Sequence, residues 1–291
     1  MQFLQVLVSG ISQGFIYGLI ALGFVLIYKA TEAVNFAQGE LMMLGGFCGF
    51  ALTSYWGLPY WAALLIAVLI LGCFGFFLEL FILRPILGQP AFAIIMVTIG
   101  VGYLARGLIT MIPGIGTDTQ TLTAPFKDQM MHVGALAISM EHVVIIAASL
   151  TLCALLFFLF RFTRVGIAMQ AVSQNQLAAY SMGIPVKRLN GVVWATSAAV
   201  AAVAGILLAP ITFVHVNMGF IGLKAFPAAV IGGFESLPGA IIGGLIIGVV
   251  EALAGFYLPE GFKDVAAYVV VLIMLVVRPT GLFGQSIRKR V

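Results

Sequence analysis

Apolar residues in this chain come in long runs, not in the alternation of a half-buried strand. Runs can be drawn at 6–28, 36–56, 60–83, 91–112, 142–160, 190–210, 221–236, 239–257 and 264–278, separated by short stretches that hold most of the charges. A helix needs about 20 mostly apolar residues to cross the hydrocarbon of a bilayer. The runs at 221–236 and 264–278 are short for that and are expected to be partial or tilted. The pattern predicts an all-α, polytopic helical membrane protein of eight or nine spans, organised as a single domain over residues 1–291. The opening "MQFLQVLVSG" lacks the basic start and small-residue cleavage site of a signal peptide, so the first run is expected to be a retained helix.

The breaks between runs carry their own information. In "AVNFAQGELMMLGGF" three polar residues stand at the mouth of an apolar run. Asn35 fits an N-cap, and Gln38, three residues on, can reach back as in a capping box. Glu40 then lies near the positive end of the helix dipole, where a carboxylate is favoured. A Gly-Gly-Phe at 45–47 returns at 232–234, each time between an apolar approach and a bend into the next run, which is compatible with inverted repeats. Gly14 with Gly18, Gly239 with Gly243, and Gly244 with Gly248 have the spacing that lets membrane helices approach closely.

Composition sharpens the class. The chain is 62% hydrophobic and 8% charged, against roughly 25% charged in a soluble domain, and its mean hydropathy is +1.16. Of the fourteen basic residues, Lys29, Arg84, Arg161, Arg164, Lys187, Arg188, Arg278, Arg288, Lys289 and Arg290 fall on one side of an alternating topology. By the positive-inside rule that side is the cytoplasm, with the C-terminus there and the N-terminus outside if all nine runs cross. Residues 113–142 form the longest polar connection, an outer loop that is either plain surface or a docking site.

Catalytic signatures are missing. The sequence has no phosphate loop, no H-E-x-x-H zinc motif and no G-x-S-x-G elbow. His132, His142 and His215 are scattered, and Cys48, Cys73 and Cys153 read as small core residues. No catalytic or metal-binding residue is assigned, and nothing points to nucleic acid. Away from the first and last two positions of each run, the charged residues are Glu40, Glu79, Arg106 and Glu251, with Lys224 near an outer end. Each costs at least about 2.5–3.5 kcal/mol if left in hydrocarbon, so each is expected to face the bundle, a partner or water. Glu79 and Arg84 sit near a span end and can snorkel. Arg106 and Glu251 lie deeper and suit an interior ion pair or a polar lining. Asn35, Gln38, Glu40, Arg106 and Glu251 are therefore the pathway or gating candidates.

The loop at about 162–189 is the most informative stretch. From Ile167 to Met182 it reads as one short helix, with Gln170, Gln174 and Ser181 along one line and Ile167, Ala171, Ala178, Ala179 and Met182 on a broad apolar face. Gly183 supplies the stop and Pro185 prevents continuation. A lipid-surface helix tends to carry Lys and Arg on its polar face, and this one has none, so docking onto another protein is favoured.

In "AVSQNQLAAYSMGI", Asn175, Ala178, Ala179 and Gly183 stand in the register of the cytoplasmic coupling loop of ABC importer permeases, which the stretch resembles. Together with "GFIYGLIALGFVLIYKATEAVNFAQGELMMLGG" and "FPAAVIGGFESLPGAIIGGLIIGVVE", it makes nearly the whole chain similar to the H-type permeases of branched-chain amino-acid importers. The resemblance implies a permease subunit in a bacterial inner membrane that pairs with a second, homologous permease. It also implies two cytoplasmic P-loop ATPase subunits that use ATP and Mg, a periplasmic substrate-binding protein, and no cofactor on this chain. Asn175, Ala178, Ala179 and Gly183 would then couple the ATPases to the spans. The family usually has a basic residue where Ile167 stands, another where Gln170 stands and an acid where Leu177 stands, so its salt bridges do not carry over. Permeases for urea or short amides share the motifs. A stand-alone channel or ion-coupled carrier is the alternative of another class, and a membrane enzyme is a third.

Overall fold

The structure is a computed structural model that describes residues 2–86, 88–133, 136–259 and 261–284. Eleven helices follow in order among these residues: α1 (Gln2–Thr31), α2 (Gln38–Ser54), α3 (Tyr60–Leu78), α4 (Ala91–Thr110), α5 (Met140–Phe162), α6 (Arg164–Gln174), α7 (Gln176–Ser181), α8 (Val186–Thr212), α9 (Gly219–Gly232), α10 (Leu237–Tyr257) and α11 (Phe262–Val277). Six of the described helices, namely α1, α3 with its extension to Ile86, α4, α5, α8 and α10, are long and apolar enough to cross a membrane. The other apolar runs give shorter helices: 17 residues in α2, 14 in α9 and 16 in α11. The basic tail Arg288–Arg290 lies outside the described residues.

The core is built around α1. Its segment from Phe15 to Ile27 is buried on every face, which the absence of any polar stripe in that stretch permits. Against it lies α10, and the contact is made by glycines: a side chain on Gly14 would strike the backbone of Gly244 and Leu245, and one on Gly248 the backbone of Gly14. The opposite edge of α10 receives α9 in the same way, with Gly243 against Ala228 and Gly239 against Gly232. All three glycine pairs singled out in the sequence therefore sit at close helix crossings. In hydrocarbon such contacts gain dispersion energy that a lipid tail cannot match.

Two helices begin inside the bundle instead of at its surface. Thr31 at the end of α1 and Asn190 in the first turns of α8 line one small cavity, which marks one end of the bundle. From there the chain after α1 folds back, and Gln38 meets Gly23 of α1 and Ser197 of α8. Gly23 precedes Thr31 by eight residues and Ser197 follows Asn190 by seven, so at 1.5 Å per residue α2 starts about 10–12 Å inside that end. From the other direction, α9 starts at the same depth, since a side chain on Gly39 would overlap the Gly219 carbonyl and one on Gly222 the Gly39 backbone. The first turns of α2 and α9 thus touch at mid-bundle, and the helices run apart in opposite directions.

Two expectations need correction. The Gly-Gly-Phe echo is not a structural repeat: Gly45–Phe47 lie within unbroken α2, whereas Gly232 ends α9 and Gly233 adopts φ +91°. The loop helix from Ile167 to Met182 is two helices, because Asn175 takes an extended conformation between α6 and α7. The all-α class holds, with a small antiparallel hairpin of β1 (Met130–Val133) and β2 (Leu136–Ser139) in the long connection. That connection also lies down on the bundle, burying Leu122, Ala124 and Phe126 and pairing Gln120 with Val214.

Candidate transport site and coupling surface

Asn35 and Gln38 do not form the expected capping box. The Asn35 side-chain oxygen accepts from Ala37 N at 3.1 Å, and its amide donates to Gln38 Oε1 at 3.2 Å. Gln38 opens α2 and faces inward. Its Oε1 also accepts from Ser197 Oγ at 3.0 Å, and its Nε2 donates to the Ser197 carbonyl at 3.3 Å. The same hydroxyl lies 3.0 Å from the Gly23 carbonyl. All four residues are buried. An amide can satisfy both its ends this way, which is what a buried polar group requires. The result ties α1, α2 and α8 together at the depth where α2 begins.

Two residues further on, Glu40 meets Arg106: Nη2 of Arg106 lies 2.5 Å from Glu40 Oε1. The pair sits against the first turn of α9, where a side chain on Gly219 would come within 3.0 Å of Glu40 Oε1 and 3.1 Å of Arg106 Nη2. The guanidinium lies over the Phe220 ring, 4.0 Å from its centroid, and Arg106 Nε is buried without a partner. Beside the pair is a cavity of about 200 Å³ lined by Phe36, Glu40, Ile99, Gly102, Tyr103, Arg106, Phe220 and Leu223. Tyr103 and Phe220 are largely exposed, so the cavity opens on the flank formed by α2, α4 and α9.

Arg106 and Glu251 are not partners, although both were candidates for an interior pair. Glu251 is buried on α10, accepts from Tyr17 Oη at 2.5 Å and pairs with Lys224 at 2.9 Å; Lys224 reaches Asp264 at 2.6 Å. One lysine on the short helix α9 thereby binds α10 and α11, and through Tyr17 it is linked to α1. The expectation that Glu79 snorkels also fails. Its carboxylate is buried and takes a fork of two bonds from Arg84, Nη2 at 2.7 Å and Nε at 3.2 Å. Residues Glu79–Leu83 form a π-turn, whose i to i+5 repeat sets Arg84 above Glu79. Arg84 also donates to the Lys187 carbonyl at the start of α8, which follows α7.

The loop itself is built by caps. Thr163 Oγ1 accepts from Gly166 N at 3.3 Å to start α6, and Asn175 Oδ1 accepts from Ala178 N at 2.9 Å to start α7. Gly183 has φ +82° and closes α7, as its sequence position predicts. Met169, Val172 and Ala179 face the bundle, while Asn175, Ala178 and Gly183 are exposed. Of the apolar face expected to dock, Ile167, Ala178 and Met182 point outward while Ala179 is buried and Ala171 half-buried, and Leu177 and Tyr180, 80 and 70% exposed, extend the outward surface. Periodicity over a single helix does not bring Leu177 and Tyr180 onto this surface, because the break at Asn175 rotates α7 relative to α6. Leu177 and Tyr180 went unlisted among the candidates for the same reason. Among the described residues no cluster of three metal-ligating side chains occurs.

Comparison with known proteins agrees with this architecture. The family model described as "Branched-chain amino acid transport system / permease component" matches residues 6–278. The chain is 32% identical to the high-affinity branched-chain amino acid transport system permease protein LivH of Salmonella typhimurium, over 97% of this chain and 96% of that protein. It is 30% identical to the corresponding protein BraD of Pseudomonas aeruginosa, over 97 and 96%. Among solved structures, PsaBC from Streptococcus pneumoniae in complex with Fab aligns over 97% of this chain and 94% of that one, with a TM-score of 0.51 at 16% identity.

Proposed function

The chain belongs to the branched-chain amino acid permease family, and from that premise we propose that its substrates are branched-chain or closely related amino acids and that it carries them into the cytoplasm. It is a membrane permease subunit without an ATPase site of its own. The complex holds two P-loop ATPases using ATP and Mg, one of which docks on the α6–α7 surface of this chain, a second permease covers the flank of α2, α4 and α9, and a periplasmic binding protein delivers substrate. The membrane is the bacterial inner membrane, with the C-terminus in the cytoplasm.

The observation that carries this reading is the apolar coupling surface. Leu177, Tyr180 and Met182 stand exposed on a short capped helix between two long spans, with no charge on α7. A patch of this kind on a polar loop marks a protein contact. Asn175 and Gly183 fix the shape of α7, and Ala178 beside them keeps the surface low. Motion applied there reaches α8 through Val186 and the Arg84 contact to Lys187. The pathway candidates Asn35, Gln38, Glu40 and Arg106 gather where α2 and α9 begin, and Glu251 braces α9 from behind.

Uptake of radiolabelled leucine by proteoliposomes holding the complete complex tests the proposal. ATP-dependent uptake is expected, and it should stop when the ATPase is blocked. Uptake by this chain alone, without nucleotide, would instead support a channel or carrier.

A further inference from the structure

We infer that the cavity beside Glu40 and Arg106 is a station for the zwitterionic headgroup of the amino acid in transit, a proposal that rests on the amino-acid permease reading. The cavity has two kinds of wall. One end holds a carboxylate and a guanidinium side by side; the rest is Phe36, Ile99, Tyr103, Phe220 and Leu223. An amino acid with an apolar side chain has the same division, opposite charges at one end and hydrocarbon at the other.

Both charged groups have capacity left for a ligand. Arg106 gives Nη2 to Glu40 Oε1, and its Nε is buried with no partner. A carboxylate placed there would receive the charge-assisted bonds that a guanidinium fork provides. Glu40 presents its other oxygen beside Gly102, whose missing side chain leaves that wall open. An ammonium group fits at this oxygen. The stacking of Arg106 on Phe220 and the contact of both charges with Gly219 hold the pair in place. Between transport events each charge neutralises the other, so neither is left uncompensated in an apolar setting.

Size and sign narrow the ligand. About 200 Å³ is below the roughly 300–1,000 Å³ of pockets for drug-sized molecules, which suits one small solute. Urea and simple amides carry no net charge at either end and gain nothing from separated charges of both signs. The chemistry therefore favours an apolar amino acid over the amides that related permeases carry.

The test uses the permease–ATPase complex in nanodiscs, without nucleotide and without the binding protein, whose own substrate site would otherwise supply the signal. Radiolabelled leucine is expected to bind saturably and to be displaced by unlabelled leucine. Isocaproate, which lacks the ammonium, and isoamylamine, which lacks the carboxylate, should each compete about tenfold or more less well, the effect of losing one charge-assisted contact. In Glu40→Gln the penalty on isocaproate should vanish, and in Arg106→Gln the penalty on isoamylamine should vanish. The double variant Glu40→Gln/Arg106→Gln keeps size and leaves no lone charge, and co-purification with its partners checks its assembly. If the assembled double variant imports leucine at the wild-type rate, or if the two analogues compete as well as leucine, the site is overturned while the transport reading stands. If the wild-type complex takes up no leucine with ATP, both are overturned.

Discussion

At Gly23 a missing side chain admits the Gln38 amide to the centre of the bundle. A methyl group there would overlap Gln38 Nε2 and approach Ser197 Oγ to 3.0 Å. Since Gln38 and Ser197 have no other space, the substitution must push α2 away from α1 and α8. Gly23→Ala should therefore destabilise the protein by about 1–3 kcal/mol, the usual cost of overfilling a packed interior. Gly72→Ala is the control: its added methyl would lie 3.6 Å from the nearest atom, the Ala195 carbonyl oxygen, an ordinary contact. Thermal unfolding of the complex in detergent should show a lowered midpoint for the first and none for the second. The polarity of Gln38 was legible in the sequence, but its partners at Gly23 and Ser197, remote along the chain, were not.

Between elements, the joint at Asn175 decides what the coupling loop presents. Helix α7 has six residues, too few to hold together on propensity alone, so its cap and its αL stop contribute a large share of its stability. Asn175→Ala removes the bond to Ala178 N and should cost about 1 kcal/mol, whereas Asn175→Asp keeps an acceptor and should cost little. With the α7 surface frayed, co-purification of the ATPase subunits is expected to fall several-fold for the alanine variant and to persist for the aspartate. The stop at Gly183 could be read directly, because φ > 0 belongs to glycine. The break could not, since Asn is tolerated within a helix and only the packing of Met169, Val172 and Ala179 onto the bundle requires the turn.

For the molecule as a whole, α9 is short and depends on its neighbours, and Lys224 is its main polar attachment. Lys224→Met would strand the buried Glu251 carboxylate, a loss of about 3–5 kcal/mol for a broken interior pair. Adding Glu251→Gln removes the stranded charge while leaving a group that can accept from Tyr17, and most of the stability should return. Unfolding midpoints of the two variants check this; equal midpoints would mean that Lys224 does not serve Glu251. The sequence by itself determined the membrane class, the runs that become helices and the glycine crossings, because hydrophobic length and small-residue spacing are local properties. It also marked Glu40, Glu79, Arg106, Lys224 and Glu251 as needing partners, since hydrocarbon tolerates no charge alone. Which partner each would find was decided only by the tertiary structure. Glu40 with Arg106 and Gln38 with Ser197 join helices far apart in the chain, while Lys224 with Glu251 joins the neighbours α9 and α10, at a depth set by where α2 and α9 begin. That depth follows from how the glycine-lined helices pack, and no window of sequence contains it.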